Sequence, residues 1–198
     1  MEAISIIEGR GVPLDRSDVD TDQIIPSDWL KKVERTGFGK GLFSEWKDDR
    51  DFVLNKDEFA GATILVSGPN FGTGSSREHA VWALMDYGFK AVISSRFADI
   101  FKNNCSKSGL VPVQVEESTV RKLMDGIESD PSLIILIDVE RLALSVPQLD
   151  IEVSFIMDRF TQERYVKGLD DIGITLKHSD EISTYETRRQ SWMPVLSG

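Results

Sequence analysis

Cysteine is almost missing from this chain: among 198 residues Cys105 stands alone, and histidine occurs only as His79 and His178. One thiol makes no internal disulfide, and one cysteine holds neither a zinc site nor an iron–sulfur cluster. With two histidines, a self-contained transition-metal centre is not expected. Long hydrophobic runs are lacking too, since no stretch approaches the about 18 apolar residues of a membrane helix. The opening "MEAISIIEGRGVP" has no basic segment followed by an apolar one, so no secretory leader is expected. Positive charge is scarce: 23 Lys and Arg face 33 Asp and Glu, a formal net charge of −10. That sign argues against a nucleic-acid backbone as partner. The expectation is a soluble, acidic, cytoplasmic globular protein with no nucleic-acid and no membrane partner.

What is present suits one core. The chain is 40% hydrophobic, and its 198 residues make one domain or one domain with an appendage. There is no internal repeat and no low-complexity segment. "GRGVPLDRSDVDTDQIIP" (Gly9 to Pro26) reads as turn-rich, with Pro13 and Pro26 as breakers. A short helical pattern through Trp29, Leu30 and Val33 stops at Gly37, and Gly37, Gly39 and Gly41 read as a loop free to take several shapes. "DFVLNKDEFAG" reads as a connector.

The strongest pattern follows. "ATILV" (Ala62 to Val66) is a continuous apolar run of strand length, suited to burial on both faces. "REHAVWALMDYG" places Ala80, Val81, Ala83, Leu84 and Tyr87 at helical spacing with Gly88 as its stop, and "AVIS" (Ala91 to Ser94) is a second short strand. That is a strand–helix–strand unit with parallel pairing. "FADIFKNNCSKSG" predicts a helix ending near Gly109, and "STVRKLMDGIESD" another, capped by Ser118 and closed by Pro131. "LIILID", "ALSV" and "IEVSFIM" (Ile151 to Met157) predict strands. Beyond Arg159 the chain turns polar, and Ile172, Leu176, Ile182 and Tyr185 lie on an amphipathic helical pattern broken near His178 and Ser179. The fold class is α/β: one domain over residues 1–157, then a helical extension over 158–198.

Between the first strand and its helix lies "GPNFGTGSSREHA" (Gly68 to Ala80). A glycine-rich turn entering a helix offers unpaired backbone N–H groups and the positive end of the helix dipole, which favour an anion. Ser75 and Ser76 fall where the helix should begin, and Arg77 adds a fork of donors suited to a carboxylate. The plainer alternative makes the serines N-caps and pairs Arg77 with a surface acid. The P-loop pattern fails because Thr73 stands at the second glycine position and no lysine follows. The dinucleotide pattern fails because Gly72 and Gly74 lead to Arg77, and the hydrolase elbow fails at Glu78.

"GTGSSREHA", the strand before it and "SRFADIFKNNCSKSGLVPV" after it resemble the swivel domain of the aconitase superfamily. More narrowly, the chain resembles the small-subunit family of bacterial 3-isopropylmalate dehydratases. "DTDQIIP" (Asp20 to Pro26), "WLKKVERTGFG" (Trp29 to Gly39), "GLDDIGITL" and "YETRRQSWMP" match in order, so the likeness spans nearly the whole chain. The resemblance implies a swivelling β/β/α domain with a C-terminal helical extension. It also implies a heterodimer, in which a 4Fe–4S cluster and most of the active site belong to the large partner, so that this chain binds no cofactor and is inactive alone.

By the same resemblance Ser75 is the general base. It takes a proton from the carbon next to a carboxylate of a small diacid, while the partner's cluster iron receives the departing hydroxyl as a Lewis acid. Gly74, Ser76 and Arg77 cradle the substrate, with Arg77 on the carboxylate that gathers charge, and Asp22 supports the site. In the loop "WLKKVERTGFG" Arg35 reaches a terminal carboxylate and Thr36 lies beside it, with Lys31 and Lys32 as alternatives. An apolar surface near Val33, Phe38 or Leu42 would accept a branched alkyl group. Glu78 and His79 are either supporting residues, contacts between subunits or a plain surface pair, and Trp192 and Met193 either anchor a partner or fold back. Cys105 is expected to pack at its helix end. The competing functions are a related hydro-lyase for a homoaconitate, methylcitrate or dimethylmalate type of diacid, or a non-catalytic anion-binding assembly module.

Overall fold

Ile6–Leu14 form strand β1, and this nine-residue strand changes neighbours halfway along. Its first half, Ile6 to Arg10, pairs antiparallel with β5 (Ile134–Asp138). Its second half, Gly11 to Leu14, pairs parallel with β2 (Ile64–Ser67). β2 continues in parallel to β3 (Ala91–Ser94) and β4 (Val111–Gln114), while β5 continues antiparallel to β6 (Ala143–Val146) and β7 (Ile151–Ser154). The result, in a computed structural model that describes residues 1–31, 37–75, 77–190 and 192, with the side chains of 30 and 31 set aside, is one mixed sheet. Its order is β4-β3-β2-β1-β5-β6-β7.

Burial follows pairing. Every residue of β2 and β3 is buried, as a parallel sheet covered on both faces requires. β5 and β6 alternate buried with half-exposed positions, because one face of the antiparallel half meets solvent. β1 does both, alternating early and buried throughout from Gly11 to Leu14. The sequence reading of Gly9 to Pro26 as turn-rich is corrected here. Pro13 faces Val66 of β2, beyond the last residue that pairs with β5, so its missing N–H falls where the strand has one ladder.

Helices α2 (Glu78–Tyr87) and α3 (Asp99–Ser108) cross over between the parallel strands, and α4 (Glu117–Ser129) packs against β1, β2 and β3. Gly88 and Gly109 end α2 and α3 as expected. Two helix starts differ from the sequence reading. α2 begins at Glu78 with Arg77 as its uncapped N-cap, so Ser75 and Ser76 precede it. α4 begins before Ser118, with Glu116 at the cap position.

The segment after the glycine loop also differs. Phe38 and Leu42 are fully buried core residues, so neither presents an apolar surface to a ligand. Gly39 N–H donates to Asp86 Oδ2 at 2.8 Å, which docks the Phe38–Gly41 turn on α2.

At the carboxyl end, α5 (Arg159–Lys167) returns to the core. Tyr165 is wholly buried and its hydroxyl donates to Leu110 O at 2.6 Å, while its own carbonyl accepts from Ile4 N–H. α6 (Asp171–Leu176) and α7 (Ser179–Thr187) follow, separated at Lys177 and His178, and neither buries a side chain. Asp171 of α6 pairs with Arg164 of α5 at 2.9 Å, and Lys177 with Glu163 at 2.9 Å. No helix among the described residues is long and apolar enough to cross a membrane.

Candidate active site

β2 ends at Ser67, and the chain then makes a turn held from two sides. Phe71 forms one anchor: it is fully buried, packs on Phe97 and Phe101, and exchanges backbone hydrogen bonds with Arg96 and Ala98. Buried Ser94 adds a hydroxyl bond to Gly68 O at 2.7 Å. The second anchor is the segment after β1. Gly72 N–H donates to Val19 O at 2.8 Å, and Thr21 N–H donates to Thr73 O at 3.0 Å. Asp18 and Asn70 both take left-handed backbone conformations, which Asx residues tolerate, and Asn70 Nδ2 donates to Asp18 Oδ1 at 2.7 Å. The blocks "DTD" and "GTGSSR", some fifty residues apart in sequence, thus lie side by side.

The two aspartates of "DTD" divide their labour. Asp20 accepts from Gln23 N–H at 2.7 Å and its own N–H donates to Gln23 Oε1 at 3.0 Å, a closed capping box on the short helix α1 (Thr21–Ile24). Asp22 is left outside that box. Its Oδ1 lies 3.0 Å from Arg77 Nη1, close enough for an ion pair, although Nη1 makes no aligned hydrogen bond. The Arg77 side chain is half-buried between solvent and the turn.

Gly72 and Gly74 both have positive φ, +78° and +81°. Ser75, which follows these left-handed steps, is exposed and lies three residues before the first residue of α2, within whose first turn Ala80 N–H already donates to Arg77 O at 3.1 Å. Ser75 is an exposed turn residue two positions before Arg77, whose guanidinium pairs with Asp22. His79, the second residue of α2, packs edge-on to Phe38 with centroids 5.3 Å apart and against Trp82 at 4.8 Å. It braces the docked turn against α2. Ser76, Arg35 and Thr36 lie outside the described residues, with Lys32, Val33 and Met193 and the side chain of Lys31.

A cleft of about 610 Å³ opens beyond the carboxyl ends of β2, β3 and β4, lined by Asn70, Arg96, Lys102, Gln114 and Glu116 among others. Ligands of open α/β sheets bind at that end. A second cavity of about 520 Å³, lined by Met1, Ile4, Met85, Phe89 and Lys90, lies at the opposite end, away from the turn. Cys105 is wholly buried, and burial pushes its thiol well above the usual range, which leaves it inert. The Asp18–Asn70 clasp was not legible in the sequence, because it joins residues 52 positions apart.

A mixed sheet whose parallel half ends in a glycine turn opening onto a helix N-terminus is the architecture of an aconitase-type carboxy-terminal domain. Residues 1–118 match the family model for the Aconitase C-terminal domain, and residues 171–198 match that for the C-terminal domain of the 3-isopropylmalate dehydratase small subunit. The chain is 57% identical over 194 residues to the 3-isopropylmalate dehydratase small subunit of Frankia alni, covering 98% of each chain. It is 52% identical over 194 residues to that of Rubrobacter xylanophilus, again covering 98% of each. Among solved structures, the 3-isopropylmalate dehydratase (leuD) of Methanocaldococcus jannaschii superposes with a TM-score of 0.66 at 27% identity, covering 91% of this chain and 99% of that one. The chain belongs to the 3-isopropylmalate dehydratase small-subunit family.

Proposed function

We propose that this chain supplies the base-bearing turn of a hydro-lyase that isomerises 2-isopropylmalate to 3-isopropylmalate, by dehydration and rehydration, in cytoplasmic leucine biosynthesis. The observation that supports the reading is that exposed Ser75 lies in the same turn as Arg77, which stands at the start of α2 and pairs with Asp22. Ser75 Oγ takes the proton from the carbon next to a carboxylate as the hydroxyl on the neighbouring carbon leaves, and the resulting unsaturated diacid is rehydrated at the other carbon. A serine oxygen serves as a base only where fixed donors stabilise its charge, and the first turn of α2 with Arg77 offers such donors. Arg77 binds the carboxylate that gathers charge, Asp22 holds Arg77, and Gly74 lets the backbone approach. Ser76 is assigned to the same cradle, and Arg35 and Thr36 to the far carboxylate.

The chain's own donors do not fit an iron–sulfur cluster. Its one cysteine is sealed in the core, and among the described residues no group of three or more His, Cys, Asp or Glu could hold a metal. The cluster that the family implies is assigned to the large subunit, and this chain is taken to be inactive without it. Of the helical extension over residues 158–198, α5 packs on the core through Tyr165, and the part from α6 onward is assigned as partner-facing. Ile172, Leu176, Tyr185 and Trp192 are all more than half exposed, and the second family match begins at the first residue of α6.

The test is anaerobic turnover of 2-isopropylmalate by this chain mixed with its cluster-bearing partner, against each alone and against homoaconitate, methylcitrate and dimethylmalate. Turnover of isopropylmalate by the mixture only is expected. Turnover of another diacid instead would reassign the substrate, and equal turnover by the partner alone would remove this chain from the chemistry.

A further inference from the structure

Thr21 carries a hydroxyl with no visible employment. The residue is 1% exposed, and its Oγ1 has no hydrogen-bonding partner among the described residues. Burying an unpaired hydroxyl costs free energy, and a methyl group of the same shape would avoid that cost. The fold nevertheless seats this hydroxyl at the middle of "DTD", under the candidate active turn. A Cβ built on Gly74 would stand 3.7 Å from Thr21 Oγ1, and Thr21 N–H is already bonded to Thr73 O at 3.0 Å. The buried oxygen therefore lies just beneath the residue that precedes Ser75. Of the unpaired buried polar atoms among the described residues, Arg77 Nη1 belongs to the same turn. Thr21 Oγ1 and Arg77 Nη1, the latter within ion-pair distance of Asp22 but without an aligned hydrogen bond, share one turn, whereas the other orphans, at Thr63, Ser108 and Arg164, are scattered.

The geometry points to Thr21 as a positioning residue: its hydroxyl is the donor that fixes the Gly74–Ser75 turn once the diacid is bound, an inference that rests on the function proposed above. The bond is absent in the free chain and forms when the turn settles against the substrate. It acts through Ser75 and does not touch the diacid. Because it is made on the way to the transition state, its loss lowers kcat and leaves KM nearly unchanged.

The experiment compares Thr21→Val, Thr21→Ser and Ser75→Ala in the complex with the cluster-bearing partner, reading kcat, KM and the melting midpoint of the isolated chain. Thr21→Val is expected to lower kcat by about 10- to 100-fold, the scale of a misplaced catalytic group, with the melting midpoint unchanged or raised. Thr21→Ser, which restores a hydroxyl, is expected to recover most of the rate. Wild-type kcat in Thr21→Val beside an inactive Ser75→Ala would overturn this inference alone. A melting midpoint that falls in Thr21→Val would also overturn it, since the hydroxyl would then have a partner in the free chain. Full activity in Ser75→Ala would instead overturn the function on which it rests.

Discussion

Replacing Gly72 by alanine tests the packing that aims the candidate active turn. Two costs fall on that position. Its φ of +78° puts any side chain in the left-handed region, a penalty of about 1–2 kcal/mol. The new Cβ would also stand 2.3 Å from Phe101 Cγ and 2.6 Å from Phe101 Cβ, atoms at the root of a fully buried ring that have no room to swing away. Overpacking of that kind costs about 1–3 kcal/mol more. Gly74 is the internal control: its φ is +81°, yet the nearest atom to its Cβ is Asp20 Cβ at an ordinary 3.5 Å. Gly74→Ala therefore carries only the left-handed term. The difference between the two variants isolates the clash at about 1–3 kcal/mol, or roughly 2–12 °C in melting midpoint for a chain of this size. Differential scanning calorimetry of both variants side by side measures it. Equal midpoints, or a lower one for Gly74→Ala, would refute the packing of Phe101 beneath the turn.

Two further consequences concern the carboxyl end. Tyr165→Phe removes a buried hydroxyl that donates to Leu110 O at 2.6 Å, and is expected to cost about 1–2 kcal/mol, seen as a lower urea midpoint with unchanged slope; no change would detach α5 from the core. Lys167 first, then Lys177, hold the Glu163 carboxyl down from 4.5 to about 2. A lowered carboxyl stabilises above its unfolded value, so the tie from Lys177 to α5 is full above about 4.5 and is lost as pH falls from there towards 2. Amide exchange corrected for intrinsic rate should show α6 losing protection relative to α5 between pH 6 and 3, and Glu163→Gln should erase that difference. Protection that ignores pH would count against the tie.

The parallel half of the sheet was legible because its signals are local. "ATILV" and "AVIS" are continuous apolar runs, and Gly88 and Gly109 mark the helix ends between strands. β1 was not legible, because Gly9, Gly11 and Pro13 each argue against a strand when read alone. The strand exists because its two halves have different partners, a property of the assembled sheet. The start of α2 misled in a similar way. Ser75 and Ser76 are good cap types, but two left-handed glycines carry the chain past them, and the helix opens at Glu78. Phe38 and Leu42 read as ligand-facing because they stand in a glycine-rich loop, whereas docking on α2 buries both.

At the site, Ser75, Arg77 and Asp22 were named from a resemblance spanning several motifs, and Arg77 and Asp22 do meet, at 3.0 Å. Thr21 was beyond reach, because an unpaired hydroxyl exists only once the surrounding residues are packed.

The role proposed for Ser75 as the base is tested by kcat for isopropylmalate isomerisation by Ser75→Ala in the anaerobic, cluster-loaded complex, with complex formation and diacid binding checked in the same preparation. A base at Ser75 entails a loss of about 10²–10⁴-fold or more with binding retained. A kcat within a few-fold of wild type in an intact complex would contradict it.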